Sequence, residues 1–439
     1  MEKSLGNQFI YYVSRNVMGM IALSCYILAD TFFVAQALGT NGLTALNLAI
    51  TMFAFMNALG LMLGVGGASR YSILLGKDQP EKAKGVFSSV VKFGFGISLI
   101  FVIFGMFFSE EVARFLGADE YTFDMVSLYL KTIWCFAPLF ICNYIFNAFV
   151  RNDGNPNLAM MALLVGSFTN IVLDYIFLFP LKMGIFGAAF ATSIAPLVGL
   201  LILSRHFWGK GFGFLKEKFQ WKIIPDAISL GSSAFIIEIS SGFTLMVFNF
   251  VILDLLGNAG VAAYGIVANI ALVAISIFNG VGQGIQPLVS YEYGRRNDLQ
   301  LKGILKLGYI SSIGIALFLY LISIGFVEPI VSWFNSESNE VVEKLATQGI
   351  FIYFLGFFFA GINSVSAMYL SSSERPRPAF LISLGRGIVI IVPMVLFLSR
   401  WFQIEGVWWS YVATEGLVTL LLVLGFLLGK GQGNKKLRS

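Results

Sequence analysis

The sequence predicts an all-α polytopic membrane protein, with twelve transmembrane helices arranged as two six-helix lobes related by pseudo-two-fold symmetry along the membrane normal. Three observations predict it. The first is composition: the chain of 439 residues is 57% hydrophobic and only 12% charged, whereas a soluble domain carries about 25% charged residues. The second is the number of apolar stretches long enough to cross a bilayer, about 20 residues each. They recur near 12–37, 44–74, 86–108, 125–150, 158–180, 185–204, 227–254, 261–292, 304–326, 346–371, 379–399 and 406–428. The third is an internal repeat. Leu38-Gly39 and Gly42 recur as Leu256-Gly257 and Gly260, and Gly64 and Gly66 as Gly282 and Gly284. Gly76-Lys77 recurs as Gly294-Arg295 and Lys84-Gly85 as Lys302-Gly303, all displaced by 218 positions. Pro156 then matches Pro376, and Gly187 matches Gly406, the displacement having drifted by one or two. Six spans separate the copies. Because six is even, both copies cross in the same direction, which makes the repeat parallel.

Loop charges give the orientation. Basic residues follow the second span (Lys77, Lys82, Lys84), the sixth (Arg205, Lys210, Lys216, Lys218, Lys222), the eighth (Arg295, Arg296, Lys302) and the tenth (Arg375, Arg377), and they end the chain (Lys430, Lys435, Lys436, Arg438). The loop after the third span is acidic, with Glu110, Glu111, Asp119, Glu120 and Asp124. So is the loop after the ninth, with Glu328, Glu337, Glu340 and Glu343. The positive-inside rule then places both termini in the cytoplasm. The expected organisation is an N-lobe over 1–204, a cytoplasmic linker over 205–225 that is Lys-rich and holds Gly209, Gly211 and Gly213, and a C-lobe with a basic tail over 226–439.

Several function classes lack their chemistry. Cys25, Cys135 and Cys142 all lie in apolar spans, so neither a disulfide framework nor a metal cluster is expected. The single histidine, His206, falls in the basic loop after the sixth span and is not expected to relay protons inside the membrane. There is no phosphate-binding GxxxxGK[ST] loop, no clustered nucleophile and base, and no basic stripe interleaved with aromatics. An enzyme, an ATP-driven pump, a cofactor and a nucleic-acid partner are therefore not expected. No cleavable signal peptide is evident.

What remains is a set of acids inside the spans: Asp30, Asp174, Glu238 and Glu415. An intramembrane charge costs roughly 2.5–3.5 kcal/mol on insertion scales, so it faces a protein interior or a cavity and marks function by default. Asn170 and Asp174 are four residues apart and share one helix face. Counting about 1.5 Å per residue, Asp30, Asp174 and Thr192 reach similar depth, with Asn170 one turn deeper. Two carboxylates in one low-dielectric pocket call for a shared proton or a cation. Na⁺ held by the oxygens of Asp30, Asn170, Asp174 and Thr192 would serve as well. The repeat positions in the second half are Phe248 for Asp30, Val389-Ile390 for Asn170 and Pro393-Met394 for Asp174, so this chemistry belongs to the first half alone. Glu238 and Glu415 have no evident cationic partner in sequence; each is a second protonation or substrate-contact site or a hydrogen-bonded structural acid. Arg386 is read as a snorkelling anchor near a span end. Asn143 and Asn147 either line the cavity or bond neighbouring helices. The Gly60–Gly66 and Gly280–Gly284 clusters are read as sites of close helix packing.

At Ala29-Asp30-Thr31-Phe32-Phe33-Val34 with Leu38-Gly39, at Gly260-Val261-Ala262-Ala263-Tyr264-Gly265-Ile266 with Gly280–Gly284, and at Asn170-x-x-x-Asp174 with Gly187-Ala188-Ala189 and Thr192, the chain resembles the multidrug and toxic compound extrusion (MATE) family of the MOP flippase superfamily. The resemblance covers nearly the whole chain. It implies a V-shaped pair of lobes exporting cationic amphipathic compounds against H⁺ or Na⁺. It also implies an N-lobe cation site at Asp30, Asn170, Asp174 and Thr192 and a seventh-span acid at Glu238. Two departures stand out. The tenth span has no acid, which puts a C-lobe Na⁺ site in doubt, and the first span has no proline, leaving Gly19 as the place where that helix could bend.

The expected function is thus a secondary active antiporter in the plasma membrane, acting as a monomer and exporting organic cations by alternating access. The alternative is a flippase for lipid-linked oligosaccharide or peptidoglycan precursors. Its pyrophosphate ligands call for basic residues in the cavity, and the mid-span charges read here as acidic.

Overall fold

The structure is a computed structural model and describes residues 4–208, 217–334 and 339–436, with side chains to 426. Helices account for almost all of it, because in hydrocarbon every backbone N–H and C=O must be paired within its own segment. The first and second spans form one continuous element, Leu5–Gly76, which reverses at Gly39. The seventh and eighth form Ile223–Gly294, which reverses at Gly257. The eleventh begins at Pro376 and runs through a π-helical turn, Gly385–Val389, into Ile391–Lys436, which reverses at Gln403 into the twelfth. The fourth span is bent by 51° between Phe123–Cys135 and Ala137–Asn152. The remaining spans are Pro80–Phe107, Pro156–Leu178, Gly184–Trp208, Asp298–Gly325 and Glu340–Ser372. With each reversal counted as a boundary, twelve spans result.

Span starts follow local chemistry. Pro80, Pro156 and Pro376 each occupy the first helical turn, where a missing N–H is not missed. Asn155, Asn297 and Asn339 cap the free N–H groups of the helices they precede.

The repeat is visible in the backbone. Among the described residues, eight of the ten left-handed residues form four pairs at the displacements found in sequence: Gly39 with Gly257, Asp78 with Arg296, Gly154 with Glu374, and Gly184 with Gln403. The two acidic loops each hold a short helix that hydropathy did not reveal, Ser109–Phe115 and Val327–Phe334, again 218 apart. The break of the fourth span at Phe136 matches a 3₁₀ turn at Phe354–Gly356 in the tenth.

Two large apolar cores form, one drawn almost wholly from the first half and one from the second. Among the described residues, every hydrogen bond and ion pair between the halves lies toward the end that carries the start of the first span. Glycines permit this approach. A Cβ at Gly66 would overlap the carbonyl of Ala227, and one at Gly231 the carbonyl of Met62. The repeat counterparts behave alike: Gly284, which matches Gly66, lies against Val13, which matches Gly231, and Gly280, which matches Met62, lies against Val17. Near the pseudo-axis Gly76 meets Tyr291 and Gly294 meets Ile73, residues related by the same displacement. Gly60 and Gly64 pack within the first half, on the fourth span at Ile141 and Tyr144. Gly19 does not bend the first span, which stays helical there; it lies against Leu163 of the fifth.

Arg151, at the end of the fourth span, is fully buried in this seam. It donates to Asn16 Oδ1 (2.9 Å), Gln283 Oε1 (3.2 Å) and Gln286 Oε1 (3.1 Å). Gln286 in turn donates to Val65 O and Ser69 Oγ, both at 2.9 Å. Arg70 bridges to Glu374 and, at 3.5 Å, to Asp226.

Of the expected linker, 209–216 lies outside the described residues, as do Glu337 and Arg438 and the side chains of Lys430, Lys435 and Lys436. The described part straps onto the third span: Lys92 Nζ donates to Glu217 O at 2.6 Å, and Gln220 N to Ser89 Oγ at 3.0 Å. The sixth span continues to Trp208. His206 is therefore a buried helix residue rather than a loop residue, its Nε2 2.7 Å from Asp153 Oδ2. The extra turn is stable because Phe207 stacks on Phe87.

Candidate functional site

The first, fifth and sixth spans bring together the four residues singled out in sequence. Asp30 and Thr192 are buried, and Asn170 and Asp174 are fully so. The fifth span carries Asn170 and Asp174 on one face, and Asn170 Nδ2 donates to Thr192 Oγ1 of the sixth at 3.3 Å. Asp30 of the first span and Asp174 of the fifth lie close enough for their carboxyl groups to interact electrostatically. Tyr129 of the fourth span is buried beside the group, within electrostatic range of Asp30 and Asp174. In a chain with 44 Phe and 16 Tyr, nothing in the sequence marks that tyrosine out.

The group is short of donors. Asp30 Oδ1, Asn170 Oδ1 and both carboxyl oxygens of Asp174 are buried and receive no hydrogen bond from any other side chain. A buried acceptor left unpaired costs about 1–3 kcal/mol, and more for a charged one. Four such oxygens close together have the chemistry to take up a proton or a small hard cation, since oxygen ligands suit hard cations.

The expected companions fall elsewhere. Glu238 is half-buried on the seventh span, within electrostatic range of Tyr26 and Tyr144, and Tyr26 also lies within range of Asp30 and Asp174. No basic side chain pairs with Glu238 among the described residues. Asn147 donates to Ala159 O at 2.9 Å, an interhelical bond of the fourth and fifth spans. Asn143 lies against Gly199 of the sixth span, its Oδ1 buried without a donor.

Glu415 does have a cationic partner, contrary to the expectation from sequence. It is buried in the second lobe, and its Oε1 accepts from Arg386 Nε at 2.9 Å and Nη2 at 2.7 Å. Its Oε2 accepts from Asn363 Nδ2 at 2.7 Å. Arg386 Nη1 donates to Ser364 Oγ at 2.7 Å, and Thr419 Oγ1 donates to Asn363 Oδ1 at 3.0 Å. Arg386 is therefore no snorkelling anchor. The helix starts at Pro376, so Arg386 lies about 15 Å along it at 1.5 Å per residue. It sits in the π-helical turn, whose Gly387 has its missing Cβ against Ser240 and its carbonyl bonded to Thr244 Oγ1 at 3.0 Å. Where the N-lobe has Asp30, the second lobe has the buried Phe248 stacked on Tyr264, with Tyr353 stacked on Tyr411 nearby.

Comparison with known proteins places this arrangement. The MatE family model matches residues 17–176 and again 234–396, once in each half. The chain is similar to the multidrug export protein MepA of Staphylococcus aureus strain MRSA252, 27% identical over 418 residues that cover 93% of this chain and 90% of that one. Its fold is that of a MATE crystal structure in complex with MaL6, with TM-score 0.92, 21% identity and 100% and 98% of the two chains covered. It is also that of an outward-facing multidrug resistance MATE transporter of the MOP superfamily, with TM-score 0.89, 21% identity and 98% and 96% covered. With both halves matched and the twelve-helix fold shared, the chain belongs to the MatE family and is a membrane transporter rather than an enzyme.

Proposed function

We propose that this transporter is a secondary active antiporter that exports cationic amphipathic drugs or metabolites in exchange for H⁺ or Na⁺ by alternating access. The observation that carries the reading is the set of four donorless buried oxygens at Asp30, Asn170 and Asp174. With no basic side chain paired to it among the described residues, the site draws a cation from solution, and an inward H⁺ or Na⁺ gains about 2.3 kcal/mol per 100 mV. Because the oxygens come from the first and fifth spans, occupancy changes how those spans pack, and packing sets which way the lobes lean. The multidrug export name of the similar staphylococcal proteins supports the substrate class. Glu238, within electrostatic range of Tyr26 and Tyr144 and unpaired with any basic side chain among the described residues, suits an organic cation. In this reading 1–204 and 226–439 are the moving lobes, 205–225 is the linker, and the chain is a plasma-membrane monomer with both termini cytoplasmic.

The test is dye efflux by purified protein in liposomes with pH and Na⁺ gradients imposed separately. One gradient drives efflux in the wild type, and Asp30→Asn and Asp174→Asn abolish the drive while leaving expression intact. Efflux indifferent to both gradients, or unchanged in both variants, overturns the reading.

The flippase alternative needs free basic groups in the cavity. Two arginines do lie deep in the protein, but Arg386 is held by Glu415 and Arg151 by the seam amides, so neither stands ready for pyrophosphate.

A further inference from the structure

Each lobe has a cluster of buried polar residues built around a carboxylate inside the membrane, and the two clusters differ in whether an arginine of the protein pairs with that carboxylate. The N-lobe centre is made by the fourth, fifth and sixth spans with Asp30 of the first. Its buried oxygens have no basic side chain paired to them among the described residues. The C-lobe centre is made by the tenth, eleventh and twelfth spans, the repeat counterparts of those three. Its carboxylate, Glu415, has both oxygens satisfied, one by Arg386 and one by Asn363. Asn363 and Thr419 complete the chain of bonds, and Ser364 takes the remaining guanidinium donor. Tyr353 and Tyr411 are the other titratable groups beside the pair.

We infer that Arg386 is a built-in cation that permanently fills the C-lobe carboxylate centre and so confines ion exchange to the N-lobe. A counter-ion tied to the backbone cannot be released to either side of the membrane, whereas Asp30 and Asp174 must take theirs from solution. Local structure bears this out. The π-helical turn brings the guanidinium inward, Gly387 lets that turn lie on Ser240, and Thr244 takes up the Gly387 carbonyl. At the repeat position in the N-lobe stands Gly166-Ser167, where Gly166 lies against the backbone of Ala195 and neither residue offers a charge. Arg386 is thus a positioning and specificity-determining residue: it selects which lobe responds to the gradient. The inference rests on the antiport reading above.

The experiment removes the pair together. Arg386→Met with Glu415→Gln leaves no buried charge. The double variant, in liposomes, should keep gradient-driven efflux within about twofold of wild type, with the same half-saturating ion concentration and the same steepness. Arg386→Met alone leaves Glu415 without its cation. That variant should lose most of its efflux and regain it with millimolar ethylguanidinium, which Glu415→Gln alone should not. A double variant that is folded and monodisperse but no longer driven by the gradient overturns the proposal. Should the double variant fail to fold, isotope-edited infrared spectroscopy of the wild type decides. An ionised Glu415 carboxylate band unchanged by pH or Na⁺ upholds the proposal, and a band that titrates during the cycle overturns it. Asp174→Asn is run alongside: if it too stays coupled, the N-lobe reading has failed, while the double variant still judges Arg386.

Discussion

Gly39 and Gly257, 218 positions apart, hold the same left-handed backbone conformation, φ 65°, ψ −156° and φ 62°, ψ −153°. Each makes the reversal between two spans of its lobe. This part of φ/ψ space is essentially confined to glycine and costs other residues about 1–3 kcal/mol. A Cβ at either position would meet nothing within 4 Å, so the cost is backbone strain alone. Gly39→Ala and Gly257→Ala should therefore destabilise by similar amounts, seen as matched falls in thermal unfolding temperature. Gly96 also has free space around it but lies within a helix. Gly96→Ala should be neutral or stabilising by up to about 1 kcal/mol. Unequal losses at 39 and 257 would show that the two reversals are not equivalent.

The seam glycines make a different prediction, because there the obstacle is another helix. A side chain at Gly66 would run into Ala227 and Gly231, and one at Gly76 into Tyr291. Gly66→Val and Gly76→Val should keep the lobes from closing at this end while leaving each lobe folded. Spin labels at Lys77 and Arg296, both exposed, should report a longer distance in the variants. An unchanged distance in a folded variant would mean that the seam adjusts around the extra atoms.

Within the N-lobe site the hydrogen bond from Asn170 to Thr192 separates geometry from charge. Thr192→Ala removes the acceptor but neither carboxylate. Losing one such bond is worth about 1–1.5 kcal/mol, roughly tenfold in an equilibrium constant. The variant should need about tenfold more of the driving ion for half-maximal efflux and keep its maximal rate, and Thr192→Ser should restore the wild-type value. A fall in maximal rate at unchanged ion affinity would show that Thr192 acts on the movement of the lobes and not on the ion.

The spans and the repeat were legible in sequence because hydropathy over 20 residues and recurrent glycines are local signals. Asp30, Asn170, Asp174 and Thr192 were legible because a polar residue in an apolar helix stands out and helix rise converts position into depth. Arg386 was not. Its helix begins at Pro376, three residues earlier than hydropathy placed the span, which moved it from an apparent end to the interior. Its partner Glu415 lies 29 positions on, in another span. Arg151 was missed for a related reason: beside a loop it looks solvated, and it is the approach of the first and eighth spans, with Asn16, Gln283 and Gln286, that encloses it. His206 moved from loop to buried helix because a basic sequence does not reveal that Phe207 is covered by Phe87.

Arg151 gives the last prediction. Its guanidinium is buried between the lobes, and among the described residues it has only amide oxygens around it and no carboxylate. Gln283 comes from the opposite lobe and uses its Oε1 to accept from Arg151 at 3.2 Å. Gln283→Glu would place a carboxylate of nearly the same shape there, creating an ion pair only while this end is closed. A bond between two charged partners exceeds one to a neutral amide by about 1–1.5 kcal/mol, roughly a tenfold shift in population. The variant should therefore favour closure at this end, with a sharper and shorter Lys77–Arg296 distance distribution. It should turn over about tenfold more slowly, since each cycle must break the pair. Adding Arg151→Gln leaves the new carboxylate without a partner and should release the lock. If Gln283→Glu cycles at the wild-type rate, parting of the lobes at this seam is not what limits transport. If the double variant stays locked, the lock does not run through Arg151.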